Sequence, residues 1–237
     1  MDVPTYVREF GVPGRDVAPG QPQTFDGELQ LLPGVHIPLR SFYVASRRLL
    51  ISPVGGAAEG AVLPTCEALV APSLLHHRHL ADARRAAPYA ALWGPPGFAE
   101  KMPELGEVNV LGRDPWPFGD ELDFEVLEGA PKRNEIAFFH RPSATLYTAD
   151  LVFNIHGDSG WLSKLTFRAM GIYNRFAMAK PWKHWVKNHG AFLESIERVM
   201  AWPFDRIVMA HGVIVETNGK EMLRRALAER DLLPAGS

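Results

Sequence analysis

Four places in this chain put an imidazole or a carboxylate where an apolar run ends. His76, His77 and His79 follow Ala68-Leu69-Val70-Ala71, and His140 closes Glu135-Ile136-Ala137-Phe138-Phe139. Asp150 closes Thr145-Leu146-Tyr147-Thr148-Ala149, and His211, followed by Gly212, closes Arg206-Ile207-Val208-Met209-Ala210. In layered α/β folds the ends of strands face the crevice where ligands bind. Neutral imidazole and carboxylate are the ligands that zinc, iron or manganese take when thiolate is not at hand. The chain has one cysteine, Cys66, so it has no multi-cysteine metal module and no internal disulfide. Three to six such groups converging would hold one or two ions, which points to metal-dependent hydrolysis. His77 and His79 gain from their spacing, because in an extended segment residues i and i+2 point the same way. His36, His156, His184 and His189 read as surface or packing side chains, with His189 on an apolar helical stripe. Cys66, with no histidine beside it in sequence, reads as a buried, inert thiol.

The elements that must position these groups follow from patterning. The first 34 residues are punctuated by Gly11, Pro13, Gly14, Pro19, Gly20, Pro22, Pro33 and Gly34 and read as a coil or lid, with ordered structure expected from Val35. Strands are expected over Val35–Leu39, Phe42–Ala45 and Arg48–Ile51, then at the doubly buried runs Ala68–Ala71 and Ala90–Trp93. Leu122–Leu127 alternates with period two. The runs Glu135–His140 and Thr145–Asp150 flank Arg141-Pro142-Ser143-Ala144 as a hairpin. Trp182, Trp185, Val186, His189, Leu193, Ile196 and Met200 fall on one helical stripe. A last helix is expected from Asn218, with Asn218 and Glu221 as a capping pair. The whole is a mixed α/β pattern of one domain, 35–237, behind the 1–34 segment.

Composition sets the class. The chain has 237 residues, 46% hydrophobic and 22% charged, enough for a single core without staples. Its 25 basic and 27 acidic residues give a net charge of −2, which argues against a nucleic-acid partner. No stretch has the roughly 18 apolar residues of a membrane span, and Met1-Asp2-Val3-Pro4 does not open a signal peptide. A cytoplasmic protein with a small-molecule substrate is expected.

The order of these motifs resembles the metallo-β-lactamase fold superfamily. His77-Arg78-His79 follows a strand, His140-Arg141-Pro142-Ser143 precedes Thr148-Ala149-Asp150, and His211-Gly212 comes last. The segments Leu50–Val54, Ala71–His77, Trp93–Gly97, Phe139–Leu146 and Asp150–Asn154 look like landmarks of its DUF4336 subgroup. The resemblance covers about Val35 to Leu227. It implies a four-layer αββα sandwich with a helical insert near 159–200 and a metal-dependent hydrolase acting on an ester, thioester or phosphoester. It implies one metal on His77, His79 and His140, Asp150 as bridge, and Asp82 with His211 completing a second site. Asp150 and Asp82 are then the catalytic carboxylates, with a metal-bound hydroxide as nucleophile. Zinc is the expected metal, with iron or manganese as alternatives. The chain departs from the superfamily pattern at Ala81 and Asp82, where an aspartate and a histidine are expected; Asp82 or His76 is the available substitute. This departure leaves two alternatives open: a di-iron redox enzyme, or a metal-free scaffold. The aromatic insert, with Trp161, Phe167, Tyr173, Phe176, Trp182 and Trp185, reads as a cover over the sheet, a substrate lid or a homodimer face.

Overall fold

A computed structural model describes residues 21–157 and 160–233. Its frame is two sheets. The first has six strands in sequential order: β1 (Gln23–Leu32), β2 (Val35–Val44), β3 (Leu49–Ile51), β4 (Ala68–Val70), β5 (Ala91–Gly94) and β6 (Asn109–Val110). β1, β2 and β3 pair antiparallel, whereas β3 to β6 run parallel. The second sheet is ordered β12-β9-β8-β7, from β7 (Leu122–Val126), β8 (Ile136–His140), β9 (Thr145–Thr148) and β12 (Arg206–Met209). β10 (Phe153–Ile155) and β11 (Arg175–Ala177) form a separate two-stranded ribbon.

Strand parity divides the apolar residues into three layers of core, because successive side chains leave a strand on opposite faces. Leu49, Ile51, Ala68 and Val70 meet Phe138, Tyr147, Val208 and Ala210 between the sheets. Leu50 and Leu69, one residue out of phase, pack instead with Leu80 and Ala83 of α2 (Leu80–Ala86) and Phe98 of α3 (Phe98–Lys101), on the side where the short α1 (Ala57–Gly60) also lies. Ala137, Phe139, Leu146, Ile207 and Met209 turn outward to a second helical layer. That layer comprises α4 (Trp161–Met170), α5 (Trp182–Trp185), α6 (His189–Ala201) and α7 (Gly219–Ala228). The result is helix, sheet, sheet, helix. Among the described residues no helix is long and apolar enough to cross a membrane.

The structure departs from the pattern reading in four places. Residues 23–34 are not a lid: β1 pairs along β2 and the chain turns at Pro33-Gly34, Gly34 having φ +77°. Phe25 is buried there and Leu29 half-buried, so the strand signal was present but masked by the prolines and glycines around it. Residues 1–20 of the expected segment lie outside the described residues. The two strands expected in 35–45 are one, β2. The stripe from Trp182 to Met200 is broken into α5 and α6, because the amides of Lys187 and Asn188 bond to the Gly129 carbonyl and Asn188 then caps α6. That break leaves His189 exposed at the head of α6 rather than packed. Finally, Asn218 sits in the left-handed region and makes no side-chain cap, and Glu221 pairs with Arg224.

Candidate metal centre

β9 and β12 are parallel neighbours, with Met209 in register with Thr148. They therefore deliver Asp150 and His211, each two residues past the last paired position, to the same rim of the sandwich. The loop after β4 brings His76 to that rim from the other sheet. A carboxylate oxygen of Asp150 and one ring nitrogen from each of His76 and His211 lie within 4.8 Å of one another. Nε2 of His211 stands 3.2 Å from Oδ1 of Asp150, and Nε2 of His76 stands 3.6 Å from Oδ2.

Each imidazole is oriented from behind. Nδ1–H of His211 donates to the Pro38 carbonyl at 2.7 Å, an oxygen that only accepts, so the proton of neutral His211 is on Nδ1. Nδ1 of His76 meets the Ser52 hydroxyl at 2.8 Å. Phe153 stacks on the His211 ring, with an interplanar angle of 7°. Gly212 is required after His211, because its φ is +109° and a Cβ there would lie 2.2 Å from the Asn154 carbonyl oxygen.

Asp150 is held more firmly still. Its backbone N–H, with those of Ala149 and Leu151, donates to the carboxylate of Glu135 at 2.9–3.0 Å. The Trp182 indole N–H donates to its carbonyl at 2.8 Å. Arg133 donates from its guanidinium to Oδ2 at 2.7 Å, and that guanidinium lies 3.5 Å from the centre of the Trp185 ring. Burial opposes ionisation of Asp150, but His76 and His211 outweigh it and hold the carboxyl well below the usual range. Glu135, fully buried, is pushed the other way: burial and the Asp150 charge raise it to about 8. Sequence reasoning missed Ser52, Pro38, Arg133, Glu135 and Trp182. Only Glu135 left a trace, as a charge opening an otherwise apolar strand.

The other residues expected to ligate are placed differently. His77 and His79 line the cavity over this centre but do not join the triad. His79 is the residue before α2, with φ −96° and ψ 1°, so the segment is coiled and the extended spacing argument does not apply. Burial and the charges of Lys101 and Arg78 lower the basicity of His77. Asp82, exposed on α2, pairs with Arg85. His140 is buried at the far rim. β8 runs antiparallel to β9 and pairs His140 with Thr145. Thr145 to Thr148 spans roughly 10 Å at 3.3 Å per residue, and Asp150 lies beyond. There His140 bonds Ser143 at 2.7 Å and Glu121 at 3.1 Å, tying two turns together. Cys66 is buried and its thiol is pushed up to about 11, mainly by burial, which suits an inert side chain.

This layering is that of the metallo-β-lactamase fold. Among solved structures, the metal-soaked flavodiiron core from Synechocystis sp. PCC6803 superposes with a TM-score of 0.64 at 15% identity, over 89% of this chain and 59% of that one. A flavo-di-iron protein variant from Thermotoga maritima gives 0.65 at 12% identity, over 94% and 62%. A metallo-β-lactamase from Pontibacter korlensis gives 0.58 at 11% identity, over 91% of this chain and 97% of that one. The chain thus spans about three fifths of the flavodiiron proteins it matches and nearly all of the lactamase. No family model and no curated protein matches it.

Proposed function

We propose that the protein is a metal-dependent hydrolase with one divalent cation on His76, Asp150 and His211, acting on an ester, thioester or phosphoester. The observation that carries this reading is the pairing of His211 with Asp150. His211 gives Nδ1 to the Pro38 carbonyl and turns Nε2 to Oδ1 of Asp150 at 3.2 Å, and His76 completes a set of three ligand atoms within 4.8 Å of one another. Metal-bound histidines characteristically give their other N–H to a carbonyl or similar acceptor, as His211 does here. The donor set of two imidazoles and one carboxylate suits zinc, iron or manganese. The group, when bound, acidifies its water toward neutrality and polarises the substrate oxygen. The chain's own residues do the rest. His76 and His211 fix the ligand geometry, Glu135 and Trp182 hold the Asp150 backbone, and Arg133 faces the cavity as a cation against a developing negative oxygen.

A single-ion site supports hydrolysis better than di-iron chemistry here. Asp82, proposed from sequence for the second ion, is exposed and paired with Arg85. The kinship to the DUF4336 subgroup remains supported by the sequence segments alone. One observation favours a second reading, a metal-free binding protein: Arg133 already neutralises Asp150 in a pair whose side chains are only 11% and 10% exposed.

Metal analysis joined to thermal denaturation tests the proposal. Protein stripped with chelator should take up close to one equivalent of zinc, iron or manganese and melt at a higher temperature. His211→Ala and Asp150→Asn should lose that shift, while Asp82→Asn should keep it. Uptake by the triad variants equal to wild type would refute the site.

A further inference from the structure

Beyond the triad, the molecule offers the buried His140 with Ser143 and Glu121 at the far rim, an exposed apolar face on α4 and the cavity over the centre. Only the cavity has a shape that selects a ligand. Its volume is about 670 Å³, inside the range of small-molecule sites. One wall is the β1–β2 hairpin, with Leu39, Ile37, Leu29 and Leu31 facing inward. The register sets Leu39 opposite Gly27 and Ile37 opposite Leu29, with a bulge between Gln30 and Leu32. Leu39 is adjacent to Pro38, whose carbonyl holds His211. From the level of Gly27 to Leu31 is four residues, about 13 Å of strand at 3.3 Å each. Leu39 and Ile37 are buried, at 7% and 3%, and exposure then rises through half-buried Leu29 to 38% at Leu31. Leu75, 42% exposed, faces the same cavity. An apolar track therefore runs from the metal ligands to solvent.

We infer that this track holds the unbranched acyl chain of a carboxylic ester or thioester, with the carbonyl at His76, Asp150 and His211. This rests on the hydrolase reading and narrows it. An apolar, strand-lined track about 13 Å long fits an extended chain. The polar groups of the cavity, Ser52, His76, His77, Arg78, His79, Arg133, Asp150 and His211, come from the other walls and the floor. A phosphate-headed polar substrate would leave the leucine wall in contact with nothing. In the reaction one water gives its oxygen to the acyl carbon, the bond from that carbon to the leaving oxygen or sulfur breaks, and the leaving atom takes the water's proton. The free acid and the alcohol or thiol are the products.

The test separates binding from turnover. Straight-chain carboxylates from butanoate to decanoate are titrated by calorimetry into the full-length protein, stripped and zinc-loaded, and 4-nitrophenyl esters of the same chains are assayed for hydrolysis. Each buried methylene is worth about 0.8 kcal/mol, roughly fourfold in affinity. Affinity should therefore climb about fourfold per carbon until the track is filled. Leu31→Gln, at the exposed end of the track, should flatten the climb for the longer chains and leave butanoate unchanged, with unaltered circular dichroism. Affinity independent of chain length in both metal states would overturn the inference, even if every ester is hydrolysed. A chain-length climb without hydrolysis supports the acyl track and counts against the hydrolase reading alone.

Discussion

Arg133→Met offers the sharpest examination of the centre. The wild-type side chain donates to Oδ2 of Asp150 at 2.7 Å, and the two side chains are 11% and 10% exposed. Removing one member of a buried ion pair costs about 3–5 kcal/mol, because the remaining charge is left uncompensated. The imidazoles of His76 and His211 stay beside Asp150, so the lower end, about 3 kcal/mol, is expected in metal-free protein. For a domain of this size that corresponds to a melting temperature lower by roughly 6–12 °C. A cation on Asp150 replaces the lost charge, and it no longer meets the repulsion of the guanidinium. Zinc at a hundred times its dissociation constant stabilises by about 2.7 kcal/mol. At one fixed zinc concentration the variant should therefore gain more than wild type and recover most of its deficit. Thermal denaturation of both proteins in chelator and in zinc measures all four values. An equal deficit with and without metal would show that Arg133 and the cation do not share Asp150, and the proposed ligand set would fall with it.

Three further perturbations test other parts of the structure. Glu135 has its carboxyl raised to about 8 against an ordinary 4.5, so the folded state keeps a proton that the unfolded chain has lost. Its stabilisation is complete below pH 4.5 and is lost as pH rises through 8. Glu135→Gln should thus remove part of the fall in stability between pH 5 and 8, measured by urea denaturation in chelator, while leaving one or two amides of 149–151 unpaired at about 1–3 kcal/mol each. Parallel pH profiles would count against the raised carboxyl. Gly212→Ala forces a Cβ to 2.2 Å from the Asn154 carbonyl oxygen and should cost about 3 kcal/mol or more, with loss of zinc uptake; a variant as stable as wild type would contradict the loop geometry. His140→Ala should lower stability by about 1–3 kcal/mol, through the stranded Ser143 and Glu121, yet keep the full zinc-dependent rise in melting temperature.

The layered fold was legible in the sequence because it is written in local periodicity. The apolar runs at 49–51, 68–70, 136–139 and 207–209 announce strands. Side-chain alternation then assigns Phe138 to the space between the sheets and Phe139 to the helices. The helix breaks and the β1 hairpin were less legible, since Asn188 and Gly129 make their bonds across about 60 residues of chain and the prolines near β1 conceal a short alternation.

The centre divides along the same line. That Asp150 and His211 close strands was visible in the sequence, and so was the glycine after His211, but the backbone that requires a glycine there was not. Which strand ends share a rim was not, because it depends on the direction each strand takes in the sheet. β12 runs parallel to β9 and brings His211 to Asp150, while β8 runs antiparallel and carries His140 to the opposite edge. A coil turn and Ser52 set His76, rather than His77 or His79, beside Asp150, and the partners of Asp150 came from Arg133, Glu135 and Trp182. Sequence spacing carries the period of a strand; only the packed sheets carry its direction and its neighbours, and those decide which side chains meet.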